Sequence, residues 1–418
     1  MLLPFAAMLL SIALMPFISK HWWEQHYEKV AVALGAITTI YYVFPLENPE
    51  RMLRAAHEYI SFIALVGSLF VVSGGIHIRV RGESTPGINC VFLFVGAMLA
   101  NVIGTTGASM LLIRPWIRMN KYRITAFHIV FFIFIISNIG GCLTPVGDPP
   151  LFLGYLKGVP FWWVLRTCWA AWLIGVIAII GVFYALDQRN FLRAPRAVRE
   201  TETAHGVWKF EGLRNLGFLS LILVAIFLRR PAGLSEALML AAAAGSYFLT
   251  PKPVHEANDF NFHPIREVAW LFLGIFATMA PTLDYLELHA KELGLSSAME
   301  FYWLTGSLSA ALDNAPTYFT FLAAAMGLHD LSLNDPSQVR QLISTHDHEL
   351  IAISLGAVFF GAITYIGNGP NFMVKAISER AKVKTPSFFG YLLRYALPIL
   401  LPVFALISML FFSRWRLF

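Results

Sequence analysis

Runs of about 20 apolar residues recur along most of this chain, and nothing else in the sequence restricts its fold as strongly. A run of that length crosses hydrocarbon only as a helix, because no water is there to satisfy the backbone. The residue-by-residue alternation of a membrane β-barrel is absent. Composition agrees, with 57% of the 418 residues hydrophobic and 13% charged, where an ordinary soluble domain carries about 25% charge. The expected class is an all-α polytopic membrane protein whose standing partner is the lipid bilayer.

The formal net charge of +6 fits basic loops on one face of a membrane. No loop joins a long basic tract to interleaved aromatics, so nucleic acid is not an expected partner. The 3 cysteines, Cys90, Cys142 and Cys168, lie in or beside apolar segments and read as small packing residues. The stretch MLLPFAAMLLSIALMPFIS has no Lys or Arg ahead of its apolar run, so it reads as a first span rather than a cleaved signal.

Ordinary spans are expected near 2–19, 27–44, 57–77, 124–156, 161–185, 214–229, 233–250, 267–286, 349–378 and 388–412, about ten in all. Two further apolar segments, 88–118 and 299–326, are interrupted by NVIGTTG (101–107) and LDNAPT (312–317). Their arms are too short to cross a bilayer, so each is expected to be a re-entrant hairpin. That layout puts Arg79, Arg81, Arg114, Arg118, Lys121 and Arg123 on one side with Arg380, Lys382 and Lys384, the side expected to face the cytoplasm. The polar stretch 187–213 is expected to be a cytoplasmic linker between two halves, 1–186 and 214–418.

The halves repeat. Gly141–Phe152 and Gly361–Phe372 share the skeleton G-x-x-T-x-x-G-[D/N]-x-P-x-F, and Leu99-Ala100-Asn101 matches Leu312-Asp313-Asn314. Each half is expected to hold three spans, a hairpin, a broken span (124–156 or 349–378) and a final span. An odd number of crossings inverts the second half, which is the plan of inverted-repeat secondary transporters.

Chemistry is expected at the breaks. In SNIGGCLTPVGDPPLFL (137–153) glycines and prolines unwind the helix and free carbonyls and amides at membrane depth. A carboxylate there costs on the order of 2.5–3.5 kcal/mol, so Asp148 and Asp313 are the expected proton-carrying residues. Around them lies a neutral oxygen-rich set of Asn101, Thr105, Thr106, Asn138, Thr144, Asn314, Thr317, Thr364 and Asn368, with Ser137 and Asn371 beside it. Hard cations favour such ligands, so sodium is expected as the transported or coupling ion, held by Asn101, Asn138, Asp148, Asp313, Asn314 and Asn368. No cofactor is expected. An ion pair of Asp148 with Lys375 or Arg166 is the structural alternative, and the His-Asp-His-Glu run at 346–349 reads as a polar loop.

The stretch S-N-I-G-G-x-x-T-x-x-G-D-P-P at 137–150 resembles the signature of the ion-transporter superfamily. That group includes arsenite exporters, NhaD-type sodium/proton antiporters, citrate–metal transporters and divalent-anion/sodium symporters. L-x-x-x-L-D-N at 308–314 is similar to the NhaD-type and arsenite-exporter members. The resemblance implies a midplane site between hairpins and broken helices, elevator-type movement and a homodimer, and the same Asn, Thr and Asp positions as its site. Leu151 departs from the pattern, since relatives often carry Asn there, and the symporters' Ser-Asn-Thr hairpin signature is absent.

Sodium/proton exchange by alternating access is the leading expectation, in a prokaryotic inner membrane. The runner-up is a sodium- or proton-coupled carrier of citrate, a dicarboxylate or another small organic anion, with Lys375 facing the anion. An intramembrane aspartyl protease also needs two carboxylates, but its GxGD form is missing here, and no enzymatic activity is expected.

Overall fold

The computed structural model describes residues 1–81, 84–193, 207–228 and 230–413. Among the described residues, six helices are long and apolar enough, by length and composition, to cross a membrane: Pro49–Gly74, Pro86–Met119, Ala126–Leu143, Trp163–Arg193, His263–Leu293 and Phe388–Phe412. Leu3–Ile18, Asn215–Ala225 and Leu234–Leu249 are shorter apolar helices. The protein is an all-α polytopic membrane chain, with one small two-stranded sheet among the described residues.

The first interrupted segment is a helix from Pro86 to Met119 that turns back at Gly104, whose φ of 76° and ψ of 155° are open to glycine and little else. Its arms run side by side. The rings of Phe92 and Trp116 stack with centroids 5.4 Å apart, and Ser84 N donates to Met119 O at 2.7 Å. Segments 84–89 and 116–120 therefore meet at one end, as a hairpin requires. The second interrupted segment is the pair Ala298–Ala311 and Asn314–Leu328, with Phe301 and Phe321 in edge contact across it. A Ser297/Glu300 capping box starts its first arm, and the Asp313 carboxylate accepts from Ala315 N to start its second.

Each broken span has three parts. The first runs Ala126–Ile135, a 3-10 turn Ile139–Leu143, then Pro149–Lys157. The second runs Asp347–Phe360, a 3-10 turn Gly361–Ile363, then Gly369–Arg380. The leading arms form the centre of the molecule, where every residue from Ile129 to Ile136 is fully buried. This is why their sequence is apolar on all sides rather than on one stripe.

Beside the helices, His77–Arg81 pairs antiparallel with Val207–Glu211, His77 opposite Glu211 and Arg81 opposite Val207. Ile78 and Val80 point inward and Arg79 outward, a period of two that the surrounding charges obscure. The helix Trp163–Arg193 also runs into the stretch expected as linker. The helix continues to Arg193 because the Asp187 carboxylate is buried, paired with the Arg123 guanidinium and with His128 Nε2 at 3.1 Å. Residues 194–206 of the expected linker lie outside the described residues.

Candidate functional site

Asp148 is the hub. It precedes Pro149–Lys157, where Pro149 and Pro150 lack the amide hydrogens that its carboxylate could otherwise bind locally. The carboxylate turns instead to three neutral donors from three separate segments. Thr105 Oγ1 donates to Oδ1 at 2.7 Å, Asn368 Nδ2 to Oδ1 at 3.0 Å, and Asn314 Nδ2 to Oδ2 at 2.5 Å. Asp148 is 1% exposed, and among the described residues no Lys, Arg or His forms an ion pair with it. Lys375 pairs with Glu379 at 2.6 Å and Arg166 is exposed, so neither is the partner that the structural alternative required.

Around this hub the two breaks are laced by matching bonds. Thr144 Oγ1 donates to Asn101 O at 2.5 Å and accepts from Gly147 N at 3.1 Å. Thr364 Oγ1 donates to Ala310 O at 2.7 Å and accepts from Gly367 N at 3.1 Å. By contact, Asn101 thus corresponds to Ala310, and Thr105 corresponds to Asn314. The match of Leu99-Ala100-Asn101 with Leu312-Asp313-Asn314 is four residues out of register. Thr105 and Asn314 each follow the turn of a hairpin, and each binds Asp148.

The other candidates divide. Asn101 is committed to the backbone: its Nδ2 donates to Ala97 O and Gly140 O, and its Oδ1 accepts from Leu143 N at 2.7 Å. Asn138 Nδ2 donates to Ile133 O and to Asn371 Oδ1 at 2.7 Å, and Asn371 Nδ2 in turn holds Gly361 O and Thr364 O. Asp313 caps its helix and is not hydrogen-bonded to Asp148; the Thr317 hydroxyl donates to the Asp313 carbonyl at 2.9 Å. Thr106 is half-buried on the wall of a cavity of about 20 Å³. That cavity lies between 103–107, 145–149 and the helix Pro49–Gly74, with Asp148 in its lining, and its size suits one water or one small ion.

Chemically, the site is a buried carboxylate beside neutral oxygens. Asn138 Oδ1 and Asn314 Oδ1 are buried with no hydrogen-bond donor among the described residues. Unpaired amide oxygens and a carboxylate are the hard-ligand types that cations favour. Close packing holds the set in place: a Cβ on Gly147 would lie 2.0 Å from Gly141 O, and one on Gly361 would lie 3.1 Å from Asn138 Oδ1.

Sequence reasoning missed Ser109, whose hydroxyl pairs with that of Ser137 at 2.7 Å while Ser137 O accepts from Asn368. The signal was there, since Ser109 lies one helical turn beyond Thr105. It also missed the buried group of Arg123, His128, Asp187, Asn89 and Asn120 at the base of the first hairpin. There the charges fell at the ends of apolar runs and looked like loop.

No curated protein matches this chain. A family model does, over residues 1–412, which takes in both hairpins, both broken spans and every residue around Asp148. The chain belongs to that family, CitMHS_2 ("Putative citrate transport") of the ion-transporter superfamily, and is an integral membrane transporter rather than an enzyme.

Proposed function

We propose that this secondary transporter carries an anion of the citrate class together with a cation, and that Asp148 holds the coupling proton or sodium ion. The carrying observation is the Asp148 carboxylate, buried among Thr105, Asn314 and Asn368 with no basic partner among the described residues. Such a charge is costly at membrane depth, so the site gains stability from any small cation that neutralises it. Asp313, Asn138 and the remaining Asn and Thr oxygens other than Asn101, whose amide serves the backbone, are proposed to complete the ion's shell, with Asp313 as a second proton carrier. The family's description supports citrate as cargo. Alternating access is proposed to be elevator-type, in a homodimer of a prokaryotic inner membrane.

Proteoliposomes loaded with labelled citrate test this under imposed sodium and pH gradients. Saturable, gradient-driven citrate flux that disappears in Asp148→Asn supports it, and citrate flux indifferent to both gradients overturns it. A second reading, sodium/proton exchange without an organic cargo, is favoured by the neutral oxygen ligands and by the engagement of Lys375 with Glu379. Sodium-dependent proton flux at full rate in citrate-free vesicles would select it.

A further inference from the structure

We propose that a groove at the start of the last long helix binds the phosphate headgroup of an anionic phospholipid. The groove has a volume of about 440 Å³, and Lys384, Thr385, Ser387 and Arg394 line it beside Phe389 and Leu393. It lies apart from the Asp148 site and belongs to no step described above.

Lys384 and Arg394 are exposed, and among the described residues neither has an ion-pair partner. Glu379, beside the groove, accepts from the Thr385 hydroxyl at 2.6 Å; Lys375 Nζ already neutralises it at 2.6 Å. The Ser387 oxygen accepts from Gly390 N at 3.2 Å, which leaves its hydroxyl hydrogen to donate outward. Two uncompensated cations and a hydroxyl donor lining one groove match a phosphate diester.

The position of the groove selects a lipid over a free anion. Arg394 lies within the membrane-crossing helix Phe388–Phe412, on a face where Phe389 is 68% and Leu393 59% exposed. Those apolar side chains face the lipid. A guanidinium among them is costly unless it reaches an anion at the headgroup level. The helix makes a π-turn over Leu392–Ala396, a distortion frequent at binding sites, and Arg394 sits at its middle. Arg380, Lys382 and Lys384 put this end of the helix on the side that the basic bias assigns to the cytoplasm, where anionic lipids give the surface its negative potential.

The test is native mass spectrometry and lipid titration of the purified full-length protein with phosphatidylglycerol, phosphatidylcholine and soluble glycerol phosphate. Phosphatidylglycerol is expected to stay bound and phosphatidylcholine to leave. The double variant Lys384→Gln/Arg394→Gln is expected to bind phosphatidylglycerol about 30-fold more weakly, and each single variant about fivefold more weakly, so a folding failure of the double variant leaves the loss readable. Lys382→Gln, outside the groove, is expected to leave binding unchanged. Undiminished binding in the single variants, an equal loss in Lys382→Gln, or competition by glycerol phosphate as strong as by the lipid overturns the proposal.

Discussion

Asn314 Nδ2 donates to Asp148 Oδ2 at 2.5 Å across 166 residues of chain. The bond ties the turn of the second hairpin to the break of the first broken span. Thr105 does the same from the first hairpin, and Asn368 from the second broken span. One carboxylate is therefore bonded to all four irregular segments, counting its own. Any change in its charge alters what each of the other three must donate to.

Asp148→Asn keeps the shape of the side chain and removes its capacity to exchange a proton or cation. Gradient-driven flux in proteoliposomes is expected to fall to that of empty vesicles. Loss of a desolvated charge offsets the poorer match of an amide to three donors, so the melting temperature is expected to move by only a few degrees. Wild-type flux in this variant removes Asp148 from the mechanism.

Gly104→Ala is expected to cost about 1–3 kcal/mol, because φ 76° with ψ 155° is essentially closed to residues with a Cβ. Gly147→Ala is expected to cost more, since its Cβ would lie 2.0 Å from Gly141 O and the backbone itself must move. Thermal unfolding in detergent ranks the two. A Gly147→Ala protein as stable as wild type would show that the break packs differently.

Asp187→Ala strands the buried Arg123 guanidinium, and a loss of about 3–5 kcal/mol is expected. Replacing the guanidinium as well, as Arg123→Met/Asp187→Leu, is expected to recover only part of it, because His128 Nε2 and Asn89 Nδ2 still lose their acceptor. Unfolding midpoints of the single and double variants give the comparison, and a single variant of unchanged stability would contradict the pairing.

Asn101→Ala separates scaffold from ligand. Loss of the amide leaves Leu143 N without a partner, while Gly140 O keeps the Trp172 Nε1 donor at 3.1 Å, so about 1–3 kcal/mol of destabilisation is expected. The sodium concentration giving half-maximal flux, measured on protein that remains folded, is expected to stay where it was. A shift in that concentration would make Asn101 an ion ligand.

The sequence alone determined the membrane class, the two breaks, the interrupted segments and the names of Asp148, Thr105, Asn314 and Asn368 as candidates. Those features are local. Hydropathy over about 20 residues, a Gly/Pro cluster, or a carboxylate in an apolar run each has its physical cause within a few turns of chain. Tertiary structure alone decided that Asp148 takes neutral donors rather than Lys375, that Asn101 serves the backbone, and that Thr105 rather than Asn101 corresponds to Asn314. It also decided that His77–Arg81 finds a strand at Val207–Glu211 and that Asp187 is core. These outcomes depend on which buried polar groups meet when hairpins and broken spans cross. A polar group in a dry interior takes whatever partner packing brings within about 3 Å, and that partner leaves no local mark on the sequence.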